Sequence, residues 1–220
     1  MTPGISVQQI NVLLVDDHPV VRNGFRRLLE STTDIRVVAE ADDGEACCTL
    51  YRKLQPDVVV LDLNMPGIGG LETIRRIKAE DPGAHILVFS MHGNQTMVQR
   101  ALEMGATGYL TKQGGLGQMV QAVRQVRQGR LYLDPEHVAG MAADRQSANA
   151  VVDPLAVLSK REFQIFKLLA EGNSISHIAQ TISISPKTVG VHHTNIMKKL
   201  KLDNTSQLVR LAILSNIIQF

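Results

Sequence analysis

Residues 10–130 predict an α/β domain built on a parallel sheet covered by helices on both faces, and residues 155–220 predict a small all-α domain. Three observations carry this reading. Short apolar runs rich in β-branched residues alternate with amphipathic stretches through the first 130 residues, which is the βα pattern. Each run ends in a polar or charged residue rather than in another apolar one. From Leu158 onward the strand signals vanish and only helical patterns remain.

The elements follow in order. Strands are expected near 11–15, 36–40, 57–61, 85–90 and 107–111, giving a doubly wound five-stranded sheet, with helices near 19–30, 44–54, 70–79, 94–104 and 116–129. Gly44, Gly105, Gly108 and Gly129 punctuate the joins. Residues 131–154 read as a linker: Asp134-Pro135-Glu136 opens a stretch of small and polar residues, with a short helix expected near 135–144. Beyond it, Ser159 and Glu162 form a capping-box pattern and Gly172 stands past the end of that helix. A second helix is expected near 174–181. Ser185 then caps a third that begins with Pro186 and runs to about Leu200, and a fourth follows near 204–215. Four short helices with a tight turn before the third describe a helix-turn-helix module over 155–220.

The strand ends carry the chemistry. Val58-Val59-Val60-Leu61 runs into Asp62, Val12-Leu13-Leu14-Val15 into Asp16-Asp17, Ile86-Leu87-Val88-Phe89 into Ser90, and Tyr109-Leu110-Thr111 into Lys112. Open α/β sheets place their sites at the carboxyl ends of strands. Carboxylates gathered at one point repel each other unless a proton or a cation intervenes. Carboxylate oxygens, a backbone carbonyl and water suit Mg²⁺, and a carboxylate beside Mg²⁺ can act as a nucleophile toward a phosphoryl group. Lys112 would neutralise charge on the transferring oxygens and Ser90 would hydrogen-bond the aspartyl phosphate. The set reads as phosphoryl acceptance on Asp62. Taken singly, each Asp has an ordinary competing role as a helix N-cap, Asp17 for the helix near Pro19 above all.

Asp16-Asp17, Asp62, Ser90, Tyr109 and Lys112 resemble the signature of receiver domains of two-component response regulators, with nineteen positions from Ser90 to Tyr109 and three from Tyr109 to Lys112. The resemblance implies a flavodoxin-like receiver over 10–130. It implies Mg²⁺ held by Asp17, Asp62 and the carbonyl of Asn64, with Asp16 acting through a metal-bound water. It also implies that Ser90 and Tyr109 relay phosphorylation to the face built by the fourth helix, fifth strand and fifth helix. One departure stands out: many receivers have Pro after the Lys, where this chain has Gln113. A dehalogenase-type phosphatase, the competing enzyme class, needs a second Asp two positions after its nucleophile, and Asn64 stands there.

The stretch from Leu158-Ser159-Lys160-Arg161-Glu162 through Gly172, Ile178-Ala179, Lys187-Thr188-Val189 and Asn195-Ile196 to Lys199-Leu200 resembles the LuxR-type DNA-binding domain. With a receiver in front, the whole chain resembles a NarL/FixJ-type response regulator. That resemblance implies helix 186–200 in the major groove of double-stranded DNA. Lys187, Thr188, Asn195, Lys198 and Lys199 would contact phosphates, and Gly190, Val191 and Thr194 would face base edges. Relatives often carry Lys at the position of Gly190; here direct readout is thinner, and phosphate contacts, DNA shape and dimerisation carry more. His192 and His193 have no Cys or carboxylate near them in this segment and are not read as metal ligands. The implied partners are a sensor histidine kinase, DNA, a second copy of the chain when phosphorylated, and RNA polymerase. No enzyme activity is expected beyond self-phosphorylation from small phosphodonors and autodephosphorylation. The competing regulators are a receiver whose helical module binds protein or RNA, and a DNA binder indifferent to phosphorylation.

Composition agrees. The 220 residues suit one or two domains. The net charge of +2 is unevenly spread, because residues 155–220 hold eight basic and three acidic side chains, which suits a polyanionic partner. Cys47 and Cys48 are adjacent in a predicted helix and point apart, so a cytoplasmic protein without disulfides is expected. No basic start with an apolar core opens the chain and no apolar stretch approaches membrane-spanning length, so neither secretion nor a membrane is expected.

Overall fold

The computed structural model describes residues 9–91, 93, 95–112, 116–135, 154–215 and 217–218. The chain divides into two compact units, Met1–Met91 with Ala101–Asp134, and His92–Arg100 with Pro135–Phe220.

The sheet is parallel throughout, in the order β2-β1-β3-β4-β5-β6. Its strands are β1 Ile10–Val15, β2 Ile35–Ala41, β3 Val58–Leu61, β4 Ile86–Ser90, β5 Gly108–Thr111 and β6 Tyr132–Leu133. The five expected strands are joined by a sixth, β6, which lies inside the stretch read as linker and pairs Tyr132 with Gly108 and Leu133 with Tyr109. Two residues are too few for a period-two signal, and the Asp-Pro that follows them reads as a loop.

Helices α1 Pro19–Glu30, α2 Gly44–Leu54, α3 Gly69–Glu80, α4 Gln95–Glu103 and α5 Leu116–Arg127 match the expected helices to within two residues at each end. Successive strand residues point to opposite faces. Val12, Leu14, Val58, Val60, Leu87, Phe89 and Leu110 therefore pack with Phe25 and Leu29 of α1 and Met119, Ala122, Val123 and Val126 of α5 in one core. Leu13, Val59, Leu61, Ile86 and Val88 face the other way and are equally buried. A central strand buried on both faces is why β3 reads as an unbroken apolar run. Asp43 caps α2 through its side chain, accepting from Ala46 N–H at 2.7 Å. Cys47 and Cys48 on α2 are both buried and free, and burial pushes both thiols up from their ordinary range.

The second unit holds α6 Lys160–Ala170, α7 Ile175–Thr181, α8 Pro186–Leu200 and α9 Thr205–Leu214. All four are N-capped by a side chain: Ser159, Ser174, Ser185 and Asn204 accept from the N–H of Glu162, His177, Thr188 and Gln207. The α7–α8 turn is closed by Ser183 at φ 54. Phe163, Phe166, Ile178, Val189, Ile196, Leu208 and Ala212 are buried, at helical spacing on each element. Most of the helix expected near 135–144, and Gln113, lie outside the described residues.

Candidate functional site

The parallel register places Asp16 and Asp62 side by side, because β1 pairs with β3 up to Val15 and Leu61 and Asp62 N–H continues the ladder onto the Val15 carbonyl at 2.9 Å. Both carboxylates are buried. Lys112, one residue beyond β5, reaches back across the sheet edge: its Nζ lies 2.5 Å from Asp16 Oδ2 and 2.6 Å from Asp62 Oδ2. Burial alone would lower the Lys112 ammonium, but Asp62 and Asp16 outweigh it and raise it above its ordinary range. The loop after β3 is tied down by Asn64 N–H, which donates to Asp62 Oδ1 at 3.1 Å. Gly70, in the first turn of α3, lies against that loop: a Cβ there would sit 2.5 Å from the Asp62 carbonyl oxygen.

Asp17 completes the acidic group. The cap position of α1 is taken by His18, without a side-chain cap bond, so Asp17 does not serve as the N-cap. One oxygen each from Asp16, Asp17 and Asp62 and a His18 ring nitrogen lie within 4.8 Å of one another. Asp17 Oδ1 is buried with no hydrogen-bond partner, and His18 Nδ1 lies 2.7 Å from it. Three carboxylates face one ammonium and the His18 imidazole, and carboxylates gathered and buried in this way are costly unless a cation takes them. The residues present fit a divalent cation of the hard, oxygen-seeking kind.

Ser90 ends β4, one strand beyond Asp62, and Tyr109 lies on β5, the strand after that. Both are buried, and the two are joined by a side-chain hydrogen bond. Burial raises the Tyr109 hydroxyl above its ordinary range, with the charges of Asp62 and Asp134 adding to the rise and the Ser90 bond opposing it. Tyr109 is therefore a neutral phenol inside the domain. Lys112 N–H donates to the Ser90 carbonyl at 2.9 Å, which locks the ends of β4 and β5 together. The five strand-end residues named from the sequence, Asp16, Asp17, Asp62, Ser90 and Lys112, thus share one edge of the sheet, and Tyr109 lies within β5 behind them.

Arg22 was not evident from the sequence. Its Nη1 donates to the Asp16 carbonyl at 2.6 Å and its Nε to Glu40 at 2.8 Å, so α1 and β2 both brace the turn that carries the acidic pair. A cation on the first turn of α1 could have been noticed, but its partner Glu40 stands eighteen residues away.

In the second unit, Lys187, Thr188, Val191, Thr194, Asn195 and Lys198 are exposed along one side of α8, at the i, i+3, i+4 spacing of a single face. Gly190 is half-buried, and a Cβ added to it would meet nothing within 4 Å. Three side chains are engaged within the unit. Thr188 Oγ1 shares a hydrogen bond with Ser185 Oγ at 2.8 Å. Thr194 Oγ1 donates to the Gly190 carbonyl at 3.1 Å, and Lys199 Nζ lies 2.6 Å from Glu162 Oε2. Glu162 is the capping-box residue of α6, accepting also from Ser159 N–H at 2.8 Å. Burial would raise its carboxyl; Lys199 and Ser159 outweigh that and hold it below the usual range.

A buried Asp–Asp–Lys constellation at one edge of a parallel α/β sheet, followed in the chain by a four-helix module, defines a receiver joined to an output domain. Residues 12–124 match the response regulator receiver domain, and residues 156–212 match the LuxR family of bacterial regulatory proteins. The chain belongs to the NarL/FixJ-type two-component response regulators, which are DNA-binding transcription regulators. It is 38% identical over 204 residues to the response regulator GacA of Pseudomonas aeruginosa, covering 93% of this chain and 95% of that one. Among solved structures it is similar to RcsB of Salmonella enterica serovar Typhimurium bound to the rprA promoter in the presence of the phosphomimetic BeF3−. There the TM-score is 0.74 at 30% identity, covering 93% of this chain and 98% of that one. It is similar also to a structure of two RcsB dimers bound to two parallel DNAs, with a TM-score of 0.58 at 29% identity and coverage of 96% and 100%.

Proposed function

We propose that Asp62 is the phosphoacceptor, and that its phosphorylation by a sensor histidine kinase promotes dimerisation and binding of double-stranded DNA through α8. The observation that carries this is the Lys112 bridge: one ammonium touches both Asp16 and Asp62 while Asp17 Oδ1 has no hydrogen-bond partner. An Asp62 oxygen would attack the phosphorus of the phosphohistidine, forming an acyl phosphate as the bond to the imidazole breaks. Asp16, Asp17 and Asp62, with the Asn64 carbonyl, would hold Mg²⁺, which supplies electrophilic stabilisation of the phosphoryl oxygens. Lys112 would leave Asp62 for a phosphoryl oxygen, and Ser90 would donate its hydroxyl to another. That donation withdraws Ser90 from Tyr109 and gives the buried phenol a reason to shift.

Three segments follow from this reading: the receiver read over 10–130, extended by β6 and Asp134, which join its sheet; the rest of the linker read over 131–154; and a DNA-binding domain over 155–220. Lys187, Thr188, Asn195 and Lys198 would contact phosphates, with Lys199 shared between DNA and Glu162. Val191 can touch a thymine methyl. Thr194 keeps its hydroxyl as an acceptor, since its proton is turned to the helix. RcsB dimers on DNA support a dimeric DNA-bound form. RNA polymerase as a further partner and a cytoplasmic location go with such a regulator; among the described residues no helix is long and apolar enough to cross a membrane.

The test is intact mass after incubation with Mg²⁺ and acetyl phosphate, comparing wild type with Asp62→Ala, followed by sizing and a gel-shift on selected DNA. One added phosphoryl group that vanishes in the variant, with a shift to dimer and tighter DNA binding, is expected. An adduct retained by Asp62→Ala would move the phosphoacceptor elsewhere, and DNA binding indifferent to the adduct would remove the switch.

A further inference from the structure

One buried carboxylate near the site has no part in the chemistry above. Asp134 follows β6 directly and is buried. Its Oδ2 accepts two hydrogen bonds from one residue, from Thr111 N–H at 2.6 Å and from Thr111 Oγ1–H at 2.6 Å. Thr111 is the last residue of β5, and the next is Lys112. In a parallel sheet successive N–H groups of a strand point to opposite neighbours. Thr111 N–H therefore points toward β6 and Lys112 N–H toward β4, where the Ser90 carbonyl receives it at 2.9 Å. β6 stops at Leu133, opposite Tyr109, so no strand carbonyl stands opposite Thr111; the Asp134 side chain takes that place. The Thr111-Lys112 dipeptide is thus clamped from both sides, by a backbone carbonyl on one and a charged acceptor on the other. Charge-assisted bonds to a carboxylate are roughly twice as strong as neutral ones.

We propose that Asp134 is a positioning residue for phosphoryl transfer: by gripping both donors of Thr111 it sets the direction in which Lys112 leaves the sheet, and so the aim of the ammonium between Asp62 and the incoming phosphoryl group. The inference rests on Asp62 as phosphoacceptor. Lys112 must cross from a carboxylate oxygen to a phosphoryl oxygen at the height of the reaction, and a tether one residue away limits how far it strays. Misplacement of a reacting group by about 1 Å can cost about 100-fold in rate.

The experiment follows phosphoryl uptake by the full chain from acetyl phosphate with Mg²⁺, reading the limiting rate and the half-saturating donor concentration separately. Asp134→Ala should lower the limiting rate about tenfold, within the range that such misplacement can produce, and leave half-saturation in place. Asp134→Asn, which keeps an acceptor oxygen, should recover most of the loss. Thr111→Val with Asp134→Ala should be no slower than Asp134→Ala alone, as expected for residues acting as one unit. In a Lys112→Ala background, Asp134→Ala should change nothing further, an outcome that a merely structural role does not give. Wild-type rates in Asp134→Ala, or an equal slowing in the Lys112→Ala background, would overturn the proposal alone. A wild type that takes no phosphoryl group would remove the phosphoacceptor reading and this proposal with it.

Discussion

Lys198 and Lys199 are neighbours on α8 in different surroundings. Lys198 is exposed on the face with Lys187 and Asn195, whereas Lys199 is held by the buried carboxylate of Glu162. Each phosphate contact adds about one to the slope of log affinity against log salt. Lys198→Ala should therefore lower that slope by about one in a DNA-binding titration, and Lys199→Ala should lower it less while reducing the melting temperature. The Glu162 partner makes a second test at this scale. Its carboxyl is held below its ordinary value of 4.5, so the folded state binds its proton less readily than the unfolded chain. The resulting stabilisation is fully present above that value and is lost as pH falls through the folded one. Glu162→Gln should be less stable than wild type at neutral pH, and the gap in urea midpoints should close as the solution is acidified below 4.5.

α8 shows what an element gains and gives up through one residue. Gly190 lies in its middle, with no positive φ and open space where a Cβ would go. Nothing in the backbone or the packing requires glycine there, and it costs the helix roughly 1 kcal/mol against alanine. Gly190→Ala should raise stability by about that amount in urea unfolding. Gly190→Lys should tighten DNA binding and steepen its salt dependence by about one. The same element shows how much was legible beforehand. Ser185, Pro186 and the Val189/Ile196 stripe mark the start and inner face of α8 because caps and apolar periodicity are local signals. The acidic pocket was legible for a similar reason: each member ends its own apolar run, and a parallel sheet brings strand ends together. β6 was not legible, since its two residues owe their strand state to β5. Arg22–Glu40, Lys199–Glu162 and Asp134–Thr111 were hidden because their partners stand eighteen, thirty-seven and twenty-three positions apart.

At the scale of the molecule, a divalent cation held by the acidic pocket would link stability to the solvent's cations. A cation that binds the native pocket and not the unfolded chain stabilises the fold by about 2.7 kcal/mol at a hundred times its dissociation constant. Mg²⁺ should raise the melting temperature of the wild type in differential scanning, and Asp17→Asn, which removes the charge of the oxygen left without a hydrogen-bond partner, should abolish most of that rise.

The two buried thiols of α2 have a practical consequence. Cys47 and Cys48 are the chain's whole complement of cysteine, and both lie in the core with their thiolates disfavoured. A thiol reagent such as dithionitrobenzoate should leave the native protein almost unmodified and react with two groups per chain once it is unfolded. The natural sequence is therefore already a silent background for site-directed probes. A cysteine placed at exposed Val191 would be the single addressable handle, and a spin label or fluorophore there would test whether α8 meets DNA without any native cysteine having to be removed.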